Sequence, residues 1–458
     1  MSLKFLAAAA VVVALLGMDA ARSTGAIEAA KPKVFCDKVA SPLGSNSQSG
    51  SSGKPYLTVD KLASSLQRGQ TGCLRAGVYQ RDVELKKGGS SGAPITITSY
   101  PGERATLLGR IHVNDHANNL VFQNLDLDGY NRERLPSPTV NGDNVVFRDN
   151  DVTNRHTSIC FLLGSREWGR ARGTVIERNR IHNCGQLPAT NHHHGIYAEA
   201  TDNARITDNW IYDNADRGVQ MFPDAQRTYV ARNVIDGNGE GVVISRTSSH
   251  NVVEKNIISN PVVRYNLEDF ELTGTGNIGR RNCLWSTRHA GNPAGLQTGL
   301  VWPAIENIIT DPGYVNRAAK DFRLHPGSPC NTFSLIPASD PQAARKKLKR
   351  PVQLWALRSL VRPGGRIRLR AKLPLDNAGH APARALLKVR RDGAWRRVGA
   401  MKLKLDRTAY EVALRLGDQK KWRSFGQARV WSGRRTLRLR VSVKGVGLSN
   451  NLVVRIGR

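Results

Sequence analysis

The chain has 458 residues, too many for one ordinary globular core, so two domains or an elongated repeat plus a module is expected. Its net charge of +31 is concentrated at one end: residues 345–458 hold 32 Lys and Arg against 5 Asp and Glu, leaving 36 against 32 elsewhere. That asymmetry excludes a single uniform domain and marks a boundary. Six cysteines with no CxxC pair argue against a zinc–thiolate site.

In chain order, Met1 to Lys4 is short and positive, Phe5 to Gly17 is apolar, and small residues follow near Ala26. This reads as a secretory signal peptide over 1–26. The apolar run is too short for a membrane span, and no cysteine close behind it offers a lipid anchor. No later segment is long and apolar, so the mature chain is expected to be secreted, extracellular or at the cell surface, without a transmembrane segment. Cys36, Cys73, Cys160, Cys184, Cys283 and Cys330 fit an oxidising compartment. Six cysteines allow about 15 pairings. Pairing in chain order is the expectation: Cys36–Cys73, Cys160–Cys184 and Cys283–Cys330.

Between residues 145 and 258 one pattern recurs: "VVFRDNDV", "TVIERNRI", "RITDNWI", "YVARNVI" and "VVEKNII". Its asparagines are Asn150, Asn179, Asn209, Asn233 and Asn256, spaced 29, 30, 24 and 23 residues apart. A unit of 23–24 residues holds three short strands and tight turns, with no room for a helix as well. Stacked units bury a continuous aliphatic core and pair each strand with its counterparts above and below, which is a parallel β-solenoid. The repeated asparagine then stacks at one bend and hydrogen-bonds along the ladder. "PASDPQAARKKLKR" (337–350) reads as a linker. Beyond it, "GRIRLRAKL" and "RTLRLRVSV" alternate basic and aliphatic residues. "ALLKVRRDGAWRRV" reads as a hairpin turning at Asp392-Gly393, with Trp395 as core anchor. The expected domains are a solenoid over 27–343 and a basic β-sandwich over 344–458.

Two segments carry a resemblance. "GQTGCLRAGVYQRDVELKKGGSSGAPITITSYPGERATLLG" (69–109) resembles the opening rungs, and "DPGYVNRAAKDFRLHPGSPC" (311–330) the closing segment, of the right-handed parallel β-helix superfamily typified by pectate lyases. The resemblance covers roughly residues 35–335. It implies an all-β fold, a right-handed parallel β-helix, and many possible activities. The basic module resembles the small immunoglobulin-like accessory sandwiches of exported bacterial proteins.

The stretch "NHHHGIYAEA" (191–200) is set in register by "HGIYAEA", "RGVQMFP" and "EGVVISR", which start at His194, Arg217 and Glu240, 23 residues apart. His194, Arg217 and Glu240 should form one ladder, about 5 Å from rung to rung. Ile196, Val219 and Val242 should stack inward, and Gly195, Gly218 and Gly241 should mark a place without room for Cβ. Tyr197 and Gln220 form a second, outward ladder, with Glu199 and Phe222 two residues beyond. His192 and His193 are expected at the loop edge, because strand side chains alternate faces and the three histidines do not converge on a metal.

β-Elimination on a uronate needs a base, a cation for the carboxylate and an acid for the leaving oxygen. His194 suits the base by its unperturbed pKa. Arg217 suits the carboxylate, and in many β-helix lyases an arginine or lysine is itself the base. Tyr197 suits the acid. His192, His193, Glu199, Gln220 and Glu240 are then the candidate substrate contacts. Related lyases often use calcium, for which Asp126, Asp128, Asp149 and Asp151 are weak candidates; their alternative role is as solvated rung polars.

The aspartate motifs of β-helix polygalacturonases are missing, and "NDHANN" (114–119) echoes only the Asp-His of the pectate lyase motif. A hydrolase or epimerase is therefore disfavoured. The expected function is a polysaccharide lyase-like enzyme acting on an acidic polysaccharide. The alternative is a non-catalytic carbohydrate-binding or cell-surface structural β-helix. Expected partners of the basic module are acidic polysaccharide or the anionic cell envelope. No aromatic pattern suggests specific nucleic-acid binding. The protein is expected to be a monomer.

Overall fold

The computed structural model describes residues 35–333 in full and, between residues 353 and 456, the backbone of strands alone. The expected signal peptide and the 343/344 boundary lie outside the described residues.

Three short strands make one rung, as in Tyr229–Ala231, Val234–Asp236 and Glu240–Ser245. Each pairs in parallel with its counterparts one rung away. Val230 lies between Ile206 and Val253, Ile235 between Ile211 and Ile258, and Val242 between Val219 and Leu267. These side chains are buried and fill a continuous aliphatic column. At about 25 cal/mol per Å² of apolar surface, each contributes roughly 1.5–3 kcal/mol. Three parallel sheets result, of 11, 10 and 9 strands, called first, second and third in the order a rung visits them. Residues Gly195, Gly218 and Gly241 stack where expected. A Cβ on Gly218 would lie 3.0 Å from the Gly241 carbonyl oxygen, and one on Gly241 2.2 Å from that of Asn266.

The corner between first and second sheets is the most regular part of the rung. One residue there takes a left-handed conformation, and the next is the repeated asparagine. The left-handed residues include Arg178 (φ 52°), Asp208 (φ 61°), Arg232 (φ 54°) and Lys255 (φ 55°), none of them glycine. Such a conformation costs of order 1 kcal/mol or more per residue. The asparagines offset it. Asn209 Oδ1 accepts from the Asn179 backbone N–H (2.9 Å), and Asn209 Nδ2 donates to the Ile176 carbonyl (2.8 Å) and to Asn233 Oδ1 (2.9 Å). The ladder runs through all five expected asparagines and continues to Asn282 and Asn307. Charges one rung apart add to it: Arg178 reaches Asp149 (3.1 Å) and Arg232 reaches Asp208 (2.7 Å).

A helix covers the first rung of the core, and a hairpin covers part of its flank. A short helix, Val59–Ser65, places Val59, Leu62 and Ala63 over the first rung, with Thr58 accepting from the Lys61 N–H. The all-β expectation missed this helix, although the N-capping Thr58 and apolar spacing were visible. At the far end, Tyr314–Asn316 and Asp321–Leu324 form an antiparallel hairpin. It lies against the outer side of the second sheet, with Phe322 on Trp210 (5.4 Å), Tyr212 (5.2 Å) and Tyr314 (5.1 Å). The disulfides pair as expected, Cys36–Cys73, Cys160–Cys184 and Cys283–Cys330. The last ties this hairpin segment to the second sheet.

In the basic region the strands form two further sheets, mostly antiparallel, and Arg384–Arg391 pairs with Ala394–Lys402 as the expected hairpin. The immunoglobulin-like assignment and the role of Trp395 fall on side chains outside the described residues. No helix among the described residues is long and apolar enough to cross a membrane.

Asn209→Ala should strip the buried Ile176 carbonyl and Asn179 N–H of their partners. We expect a loss of roughly 2–5 kcal/mol in chemical denaturation. A loss below about 0.5 kcal/mol, the range of ordinary surface substitutions, would contradict the role given to the ladder.

Candidate functional site

The expected register holds in the third sheet. Arg217 pairs with Glu240, Ile196 with Val219, and Tyr197 with Gln220. Beyond Ala198 a bulge shifts the pairing, so Glu199 does not meet Phe222 in simple register.

Exposure differs from the expectation. His194 is 3%, Arg217 5%, Gln220 3% and Glu240 3% exposed. The long turns entering the third sheet fold back over this row, which strand spacing could not reveal. Arg217 lies 2.7 Å from Glu240 and donates to the Asn191 carbonyl (3.0 Å) and to the Asn191 side chain. Arg264, from a later turn, reaches Glu240 (3.0 Å) and Glu268 (2.9 Å). Arg217, Glu240, Arg264 and Glu268 are thus a row of alternating charges. Gln220 is spent on Ser245 (3.1 Å). Burial, then the Arg217 charge, holds the His194 pKa well below its ordinary value, so the ring is neutral near neutral pH. Burial and the neighbouring Glu240 carboxylate push Glu268 up to about 7.

His193 is half-buried and its N–H donates to Asp216 (2.7 Å), while His192 is exposed. Three calcium candidates each face an arginine, Asp126 Arg104 (3.0 Å), Asp128 Arg155 (2.5 Å) and Asp149 Arg178 (3.1 Å), and Asp151 lies 2.9 Å from His182 Nε2. Among the described residues no group of three or more His, Cys, Asp or Glu converges as metal ligands would. This donor set does not fit calcium.

The outward row of the third sheet runs from Glu84 through His112, Thr139 and Leu162 to Tyr197; Glu84, His112, Leu162 and Tyr197 reach the surface, while Thr139 between them is buried. Tyr197 meets the edge of His194 (5.3 Å) and stacks near Phe222 (6.4 Å). Burial, then Glu199, raises its pKa, so the phenol keeps its proton. Burial also raises Glu199, opposed by Arg166.

Arg166 sits on an inserted segment, residues 164–170, which no motif marks. The signal is length: Asn150 to Asn179 spans 29 residues, against 24 from Asn209 to Asn233 and 23 from Asn233 to Asn256, and insertions in solenoids gather on one face. Gly169 in this segment has φ +112°. A Cβ there would lie 3.0 Å from that of Asp115. Arg170 pins the segment by binding Asp202 and Asp224 (2.6 Å).

A family model described as "Right handed beta helix region" matches residues 139–287. The uncharacterized protein YwoF of Bacillus subtilis (strain 168) is 32% identical over 69 residues, 15% of this chain and 15% of that protein's length. A pectate lyase structure is 13% identical with a TM-score of 0.49, covering 65% of this chain and 91% of that one. A rhamnogalacturonan lyase is 13% identical with a TM-score of 0.41, covering 61% and 91%. The A-module of a mannuronan C-5 epimerase from Azotobacter vinelandii is 14% identical with a TM-score of 0.31, covering 52% and 86%.

The buried charge row makes a stability prediction with a definite sign. Glu268 titrates higher in the folded protein than the ordinary 4.5, so its contribution favours folding at low pH and is lost as pH rises from about 4.5 to about 7. Glu268→Gln should flatten the pH dependence of the thermal midpoint in that window. Arg217→Ala should lower stability by roughly 3–5 kcal/mol, leaving Glu240 short of a buried partner. A pH profile unchanged by Glu268→Gln, or a harmless Arg217→Ala, would show that this row is not structural.

Proposed function

On this right-handed parallel β-helix, we propose that the outward row of the third sheet holds an acidic polysaccharide, and that the protein acts on it as a polysaccharide lyase-like enzyme. The observation that carries this reading is the Tyr197 platform. An aromatic face suited to a sugar ring stands next to Phe222, with the Glu199 carboxyl and the Arg166 cation beside it. Aromatic faces bury large apolar area and keep a polar tip in water, which suits a ring with one apolar face. Tyr197, protonated at neutral pH, suits hydrogen bonding to a sugar hydroxyl. Three disulfides support folding in an oxidising compartment, and so an exported protein acting outside the cell. The cationic surplus of residues 345–458 suits a second, less specific hold on the same polyanion or on the anionic envelope.

The burial of His194 and Arg217 favours a second reading, a non-catalytic carbohydrate-binding β-helix. In that case the row first expected to be catalytic only holds the rungs together.

Incubation with polygalacturonate and with alginate, followed by ultraviolet absorbance of unsaturated uronate, separates the two. The enzyme reading expects product from at least one polymer. Retention of the polymer without product would leave the binding reading. For Tyr197→Ala, affinity should fall about tenfold, within the range of losing one aromatic contact. Removal of residues 345–458 should weaken retention chiefly at low salt, where charge attraction is least screened. Equal retention of a neutral glucan and the uronate polymers would sink the acidic-polysaccharide reading.

A further inference from the structure

The outward row has a second occupied stretch, three rungs from Tyr197 and so ~14 Å away at the usual strand spacing. It is built from Arg110, which precedes the strand Ile111–Val113, His112 on that strand, and Trp168 on the inserted segment. Most cations along this solenoid meet a carboxylate, as Arg104, Arg155, Arg170, Arg217 and Arg232 do. The Arg110 guanidinium is different. It is half-buried, its Nε is shielded from solvent, and that atom has no hydrogen-bond partner. Asp82, Glu133 and Glu84 act on it only at longer range, and burial outweighs them to lower its pKa. A half-buried guanidinium with no ion-pair partner among the described residues can receive an anion from outside the chain at its remaining N–H groups.

The neighbours suit a sugar acid. Trp168 is 46% exposed. Arg110 lies over its ring at 5.8 Å, and the His112 ring is 5.6 Å from it at 40°. The backbone that carries the indole is held in place. Asn141 Nδ2 donates to the Gly169 carbonyl (2.9 Å), the Ser165 backbone N–H donates to the same oxygen (2.9 Å), and the Trp168 backbone N–H donates to Ser165 Oγ (2.8 Å). His112 faces Arg110, Glu84, Asp115, Asn141 and Trp168. Burial first and Arg110 second lower its pKa; Asn141, Glu84 and Asp115 oppose them. The ring is therefore neutral, and free to take a proton, near neutral pH.

We propose that Arg110, His112 and Trp168 form a uronate site in which the guanidinium receives the carboxylate, the indole receives the ring, and His112 is the base. This rests on the acidic-polysaccharide reading above and names its reacting centre. His112 removes the proton on the carbon next to the carboxylate. That C–H pair becomes the new carbon–carbon double bond, and the adjacent carbon–oxygen bond breaks toward the departing sugar. The departing oxygen takes the proton that His112 gained, so the imidazole ends neutral. Arg110 stabilises the negative charge that develops on the carboxylate during proton removal.

The test uses the full chain with polygalacturonate and alginate oligomers, and a neutral glucan as control. Arg110→Gln should weaken uronate binding roughly tenfold or more, the range of a lost charge-assisted hydrogen bond, with the thermal midpoint within a few degrees. His112→Ala should keep affinity within about threefold and abolish unsaturated product, a loss of roughly 100-fold or more. The wild-type rate should fall as pH drops through the lowered His112 pKa, below 6.5. In Arg110→Gln that acid limb should move to higher pH, because the cation that depresses His112 is gone. Uronate binding by the wild type that Arg110→Gln leaves unchanged would overturn this site and spare the broader reading. Binding that depends on Arg110, with product formation unchanged in His112→Ala, would overturn the role of the base. No uronate binding by the wild type would overturn both.

Discussion

The structure depends on one repeated corner. At each turn from the first sheet to the second, a left-handed residue must be followed by a side chain that satisfies the backbone groups the turn exposes inside the protein. Asparagine does this with both ends of its amide, accepting from the preceding rung's N–H and donating to its carbonyl, as Asn233 does for Asn209 and Ile206. Unpaired, those buried groups would each cost about 1–3 kcal/mol. Because the same corner recurs in every rung, the strands on either side of it fall in register, and aliphatic columns such as Ile181, Ile211, Ile235 and Ile258 follow.

A fixed corner leaves variation to the other two turns. The turn from the second sheet into the third is long in the rungs carrying "GYNRERLPSP" and "NCGQLPATNHHH", and the turn leaving the third sheet is long at residues 164–170. These turns decide what the third sheet exposes. One carries Asn191 onto Arg217 and so buries the charge row; another carries Trp168 beside His112 and so builds a surface. The second sheet offers less open surface, since the closing hairpin covers it from Trp210 onward and its nearer carboxylates meet Arg104, Arg155 and His182.

Period and register were readable from residues alone. The asparagine spacing specified the rung, the 23-residue offset placed Arg217 on Glu240, and neighbouring cysteines paired in order. Exposure was not readable, because it is set by turns whose length shows in the sequence but whose path does not. His194 and Arg217 carried the right chemistry for catalysis and lie buried. No motif or repeat singles out Arg110 and His112, and only the position of Trp168 reveals that they share a surface. The hairpin that flanks the second sheet was visible as a segment, "DPGYVNRAAKDFRLHPGSPC", but its docking rests on Phe322 meeting Trp210 and Tyr212 from distant rungs.

The third sheet's outward row, between Trp168 and Tyr197, is proposed to hold a chain of uronic acids. A crystal structure of the protein with a bound oligogalacturonate or oligo-alginate tests this. Sugar density is expected along that row, with one carboxylate on Arg110 and one ring against Trp168. Density confined to the second sheet or to the basic region of residues 345–458 would contradict it.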